Sequence, residues 1–151
     1  MESRLDEKDM RILDVLKNHA EYATRKISKK TLLPPTTINN RIRKLRNDNI
    51  IRKYTIIPDH KALGKGFAAY ILITVDMHAL KEERKSQYDM VKRLRKLDHV
   101  ERADIVSGGT DIIAFIRARD VQEFDEVLLN RIHAVPGIKN TQSLIVIHPD
   151  D

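Results

Sequence analysis

Cysteine is absent from the 151 residues, which excludes disulfides, thiolate zinc sites and a cysteine nucleophile. No apolar run approaches the roughly 20 residues that a membrane helix needs. The start, Met1-Glu2-Ser3-Arg4-Leu5-Asp6, turns acidic where a secretory leader would turn apolar. The expected location is therefore the cytoplasm, with no membrane partner. Proline and glycine number five each and dominate no tract, while 41% of residues are hydrophobic and 33% charged. That is the composition of a folded chain, long enough for one ordinary domain or two small ones.

Also missing are the marks of an enzyme. The six histidines, His19, His60, His78, His99, His133 and His148, show no pair at the spacing of a metal site. No Gly-x-Ser-x-Gly or phosphate-loop pattern occurs. No catalytic residue, metal or cofactor is expected.

Acidic residues are scarce in one region. Residues 1–60 hold 14 Lys+Arg against 8 Asp+Glu and residues 61–151 hold 14 against 14, so the net charge of +6 lies wholly in the first part. Within it, residues 25–60 hold 10 against 2. A charge run alone is more often a solvated face than a binding surface. Its placement on particular helices decides between the two.

Asp6 is the expected cap of a first helix, with Leu5 and Met10 at the spacing of a hydrophobic staple and Ile12, Leu13 and Leu16 continuing one apolar face to about Asn18. Thr24 is a second cap candidate, opening a short basic helix around Ile27, Thr31 and Leu32. Pro34 and Pro35 forbid its continuation, and Pro35 suits the first position of a new helix. That third helix runs to about Asp48 with Ile38, Ile42 and Leu45 as a narrow apolar stripe, and residues 35–47 contain no acid. Asn49 suits a left-handed stop, after which Ile51 to Ile57 reads as a strand. Three short helices, a tight turn before the third and a basic strand after it describe a winged helix-turn-helix for double-stranded DNA. Candidate DNA-binding residues are Thr36, Thr37, Asn39, Asn40, Arg41, Arg43 and Lys44 on the third helix, with Arg52 and Lys53 on the wing. Asn and Arg can pair bidentately with base edges, Thr can touch a thymine methyl, and Arg and Lys neutralise phosphates. A three-helix bundle with a solvated last helix is the plainer alternative.

Gly64 and Gly66 mark residues 61–66 as a linker between a domain of residues 1–60 and one of residues 67–151. The second half reads as strand Phe67 to Val75, helix Leu80 to Leu97 with Tyr88, Val91 and Leu94 inward, strands Val100 to Val106 and Asp111 to Ala118, a helix opened by Asp120 and Glu123 as a capping box, and strand Ile138 to Ile147. This βαββαβ order predicts a ferredoxin-like domain, so the fold class is α+β. The first strand is apolar on both alternating sets of positions, which predicts a homodimer formed through the sheet. Ser107-Gly108-Gly109-Thr110 suits a hairpin, followed by Asp111. Its adjacent glycines either simply make the turn, with Asp111 as a cap, or expose N–H groups to a carboxylate while Asp111 accepts from an ammonium. Because βαββαβ is also the topology of an RNA-recognition module, RNA binding is a competing reading. The third strand, with one aromatic and no basic-Gly-aromatic run, argues against it. A purely architectural DNA-binding oligomer is a further alternative.

The chain resembles the Lrp/AsnC family of regulators over its whole length. The resemblance rests on Leu5-Asp6, the run Thr37-Ile38-Asn39-Asn40-Arg41-Ile42-Arg43-Lys44-Leu45, Ile51, Tyr54 and Leu63-Gly64, then Gly108-Gly109-Thr110-Asp111, Val135-Pro136-Gly137-Ile138, Thr141 and Ser143. Where that family's turn offers a glycine and then a serine cap, this chain has Leu32 and Pro34, leaving Thr36 as the candidate cap. The resemblance implies a transcription regulator whose dimers assemble into tetramers or octamers. It also implies a small amino-acid effector by Ser107, Gly108, Gly109, Thr110 and Asp111, with Thr141 and Ser143 nearby.

Overall fold

Residues 5–147 are described in the computed structural model, and His148 lies outside them. The chain separates into two compact units, residues 1–57 and 58–151.

In the first unit, the Asp6 carboxylate accepts from the Asp9 N–H at 2.9 Å and the Asp9 carboxylate from the Asp6 N–H at 3.2 Å. This reciprocal box starts α1 (Glu7–Asn18). Leu5 and Met10, the expected staple, both stay exposed beside this polar cap. Helix α2 is Thr24–Thr31 and α3 is Pro35–Asn47. Thr24 is not the cap of α2 but its first residue, with Ala23 in the cap position. Nor does Thr36 cap α3. Pro34 holds that position without a side-chain hydrogen bond, and Pro35 at the first turn has no N–H to satisfy.

Between these helices Leu32 is left-handed, at φ 56° and ψ 29°, a conformation in which Cβ crowds the backbone. Its side chain is exposed while Leu33 turns into the core formed by Ile12, Leu16, Ile27 and Ile38. Asn49 stops α3 at φ 56°, as its short amide side chain predicts. The expected strand at Ile51 to Ile57 does not form a ladder. A strand must pair its N–H and C=O groups with a neighbour, and no strand of the described first unit is there to pair with it.

The second unit opens on a turn in which the Asp59 carboxylate accepts from the Lys61 and Ala62 N–H groups at 2.9 and 3.0 Å. Residues 61–66, expected as a linker, lie in this unit. His60 Nδ1 is 3.5 Å from the Glu101 carboxylate, which also pairs with the buried Arg117 at 3.2 Å. Strands β1 (Phe67–Val75), β2 (Val100–Ile105), β3 (Ile112–Ala118) and β4 (Ile138–Ile145) form one antiparallel sheet in the order β2-β3-β1-β4.

The single helix expected over 80–97 is two, α4 (Met77–Glu82) and α5 (Gln87–Leu94). Ser86 breaks the run by capping α5 in a box with Asp89, and the reset phase exposes Tyr88 while burying Met90 with Val91 and Leu94. Helix α6 (Val121–Val127) continues into a π turn, Leu128–Ile132. Asp120 caps α6, but Glu123 accepts from the Arg119 N–H instead of completing the expected box.

Ala69, Ile71 and Ile73 on β1, with Ile112, Ala114 and Ile116 on β3, pack under the helices against Leu94, Phe124 and Ile132. Each fully buried isoleucine of this layer contributes about 1.5–3 kcal/mol by leaving water. The opposite sheet face is also apolar. Tyr70 lies between Phe115 and Leu144 in register, and Leu72 between Ile113 and Gln142.

Candidate nucleic-acid interface and ligand loop

Helix α3 turns Ile38 and Leu45 inward because they fall about two turns apart on a single face. The same geometry leaves Thr36, Asn39, Asn40, Arg43 and Lys44 exposed, with Arg52 and Lys53 exposed on the segment that follows, while Thr37 is half-buried. Three of these side chains are held in place. Thr24 Oγ1 donates to Asn39 Oδ1 at 2.7 Å, which ties α3 to α2, and Arg43 Nη2 donates to Asn40 Oδ1 at 2.8 Å. Asn39, Arg43, Arg46 and Arg52 line a polar concavity of about 400 Å³. Arg46, three positions beyond Arg43 on the same face, is not among the expected contact residues but lines this concavity with them.

Arg41 is placed differently from its neighbours. Its Nη1 donates to both oxygens of Asp6 at 2.7 and 2.6 Å and to Asp9 Oδ1 at 2.8 Å. The Asp6 carboxyl is held below its ordinary value by the Asp9 N–H and then by Arg41, and the Arg41 guanidinium is raised by Asp6 and then Asp9. Arg41 thus clamps α3 to the start of α1. Expected at the DNA face with Arg43, it is engaged within the chain by carboxylates more than 30 residues earlier in sequence.

In the second unit the hairpin between β2 and β3 lines a pocket of about 460 Å³ with Ser107, Gly108, Gly109 and Thr110, together with Leu72, Val106, Ile113 and Gln142. Gly108 is at φ 145°, which favours glycine, whereas a Cβ on Gly109 would meet nothing within 4 Å. Asp111 does not line the pocket. Its Oδ2 accepts from the Val75 N–H at 2.8 Å and its own N–H donates to Ile73 O at 3.0 Å, so it fastens the hairpin to the end of β1.

Thr141 and Ser143 are also elsewhere. They pair in register with Ile73 and Ile71 and face the helix side, where Thr141 Oγ1 is 2.8 Å from His133 Nε2. The strand residue that does reach the pocket is Gln142, between them and on the opposite face. Strand alternation offered this choice from the sequence, but register was needed to make it.

Known proteins match this arrangement in both halves. A family model described as winged helix-turn-helix DNA-binding matches residues 5–52, and one described as Lrp/AsnC ligand binding domain matches residues 68–149. HTH-type transcriptional regulator FL11 of Pyrococcus horikoshii is 34% identical over 143 residues, covering 95% of this chain and 89% of its own length. The structure of Escherichia coli AsnC superposes with a TM-score of 0.82 at 26% identity, covering 97% of this chain and 94% of its own. A Neisseria meningitidis transcriptional regulator solved as a complex with L-Met has the same fold, with a TM-score of 0.87, 23% identity and coverage of 96% and 91%. A ligand-domain match over more than half the chain, joined to a DNA-binding match and to transcriptional regulators across nearly the full length, places this chain in the Lrp/AsnC family as a helix-turn-helix transcription regulator with a ligand-binding domain.

Proposed function

We propose that this regulator reads duplex DNA with the exposed row Thr36, Asn39, Asn40, Arg43 and Lys44, that Arg52 and Lys53 neutralise adjacent phosphates, and that a small amino acid in the hairpin pocket changes the binding. The observation that carries the first part is an acid-free helix whose outward face is wholly polar and flanks a concavity with three arginines. Thr37 is half-buried and serves as a secondary contact. For the effector, the pocket of Ser107, Gly108, Gly109, Thr110 and Gln142 contains no charged side chain and offers backbone N–H groups, which suits a zwitterion. The L-Met complex of the structural neighbour supports that ligand class.

A second copy of the chain covers the open sheet face in this reading. Tyr70 and Phe115, with ring centroids 4.7 Å apart, are surrounded there by Leu72, Ile113 and Leu144. That surface suits a protein partner better than RNA, because Arg117, the cation over the Phe115 ring at 5.3 Å, is buried and paired with Glu101 and so is not offered to a phosphate.

Calorimetry with the twenty amino acids on wild type and on Gly109→Leu tests the effector site. Gly109 has room for a side chain, so the variant should fold and lose saturable binding; undiminished binding would move the site. DNA affinity measured against salt tests the interface, with log K falling by about 0.9 per phosphate neutralised. A salt-independent affinity would refute it.

A further inference from the structure

We propose that the pocket between α4, α5 and the Val135-Pro136 turn binds a small organic carboxylate with an apolar body and no ammonium group. The pocket measures about 390 Å³, and its floor is Leu80, Met90 and Val135, each at most 3% exposed. Arg84, Lys85, Arg93 and Asp89 complete its lining. Lys85 Nζ lies 2.5 Å from Glu83, and Asp89 accepts from both the N–H and the hydroxyl of Ser86. The guanidiniums of Arg84 and Arg93 have no hydrogen bond or ion pair among the described residues. Two unspent planar cations over an apolar floor match a carboxylate joined to a hydrocarbon, since a guanidinium can take both carboxylate oxygens at once.

The backbone sets where these groups stand. Arg84 is left-handed at φ 53°, a conformation that glycine or asparagine would adopt at less cost. The Arg84 N–H donates to Lys81 O and the Lys85 N–H to Leu80 O, so this left-handed stop of α4 fixes where the Arg84 side chain leaves the backbone. Gly137, at φ 89°, lets the opposite turn close on the floor, for a Cβ there would stand 2.5 Å from Leu80 Cδ2.

Charge also separates this pocket from the hairpin pocket. The hairpin lining is uncharged and suits a zwitterion, whereas here an ammonium would sit beside two unpaired guanidiniums and be repelled. Ser86 holds the Asp89 carboxyl below its ordinary value through two hydrogen bonds to Oδ2, and against this one carboxylate the lining carries the cations Arg84, Lys85 and Arg93.

The test is a calorimetric titration of the full chain with 4-methylpentanoate, with leucine, which has the same skeleton plus an ammonium, and with inorganic phosphate. Saturable binding of 4-methylpentanoate is expected, weakened about tenfold in Arg84→Gln and in Arg93→Gln. Thermal midpoints should not change, because neither side chain has a protein partner. The same binding should persist in Gly109→Leu, which separates this site from the hairpin site. The proposal is overturned by no saturable binding up to about ten millimolar, by affinity unchanged in both arginine variants, by phosphate binding as tightly as 4-methylpentanoate, or by leucine displacing it.

Discussion

Removal of Arg41 should destabilise the DNA-binding unit without removing a DNA contact. Arg41 Nη1 holds Asp6 and Asp9 together, but the two carboxylates differ in exposure, the side chain of Asp6 being 52% exposed and that of Asp9 2%. The exposed pair contributes little, because water and salt screen it. The buried one matters: without Arg41 the Asp9 carboxylate keeps the Asp6 N–H at 3.2 Å and is otherwise stranded. Stranding a buried charge costs about 3–5 kcal/mol. The Arg41 side chain is itself 24% exposed, so water can enter once it is truncated. Arg41→Ala should therefore cost about 2–3 kcal/mol.

Urea unfolding followed by far-ultraviolet circular dichroism reads this loss, and Asp9→Ala in the Arg41→Ala background should recover part of it by removing the stranded charge. The slope of log K for DNA against log salt should stay as in wild type, whereas Lys44→Ala should lower it by about one. A destabilisation below about 0.5 kcal/mol would refute the clamp. So would a slope reduced by one in a fully stable Arg41→Ala protein.

Leu32→Gly should stabilise the chain by about 0.5–1 kcal/mol, since it relieves the left-handed backbone at φ 56° and removes only an exposed side chain; a lower urea midpoint would contradict this. Gly137→Ala should destabilise by about 2–3 kcal/mol, because φ is 89° and the new Cβ would meet Leu80 and Met90 at 2.5–3.0 Å, and a thermal midpoint equal to wild type would count against that packing. Asp6, Asp89, Asp120 and Glu123 are held below their ordinary carboxyl values, chiefly by the N–H of Asp9, the Ser86 hydroxyl, the N–H of Glu123 and the N–H of Arg119. With folded values below unfolded ones, the unfolded chain takes up protons first as pH falls. The stability from these groups is therefore complete above about pH 5 and drains below about pH 4, and urea midpoints from pH 7 to 3 should show a fall confined to that acid window.

What the sequence determined by itself lies in short-range chemistry. The Asp6 cap, the proline start of α3, the left-handed stop at Asn49, the β-prone runs of the sheet and the acid-free face of α3 all act within one or two turns of chain, where spacing is enough. Apart from the segment after Ile51 and the helix divided at Ser86, the order of elements followed, and with it the two-part architecture.

Only the tertiary structure decided which of those side chains are free. Arg41 is sequestered by carboxylates that lie more than 30 residues earlier, and Asp111 by the end of β1. Thr141 and Ser143 lost the pocket to Gln142 because the β1–β4 register turns alternate residues to opposite faces. The break at Ser86 and the unpaired segment after Ile51 have one reason in common with these. A cap competes with helix continuation, and a strand requires a neighbour, so both outcomes depend on partners that periodicity does not name.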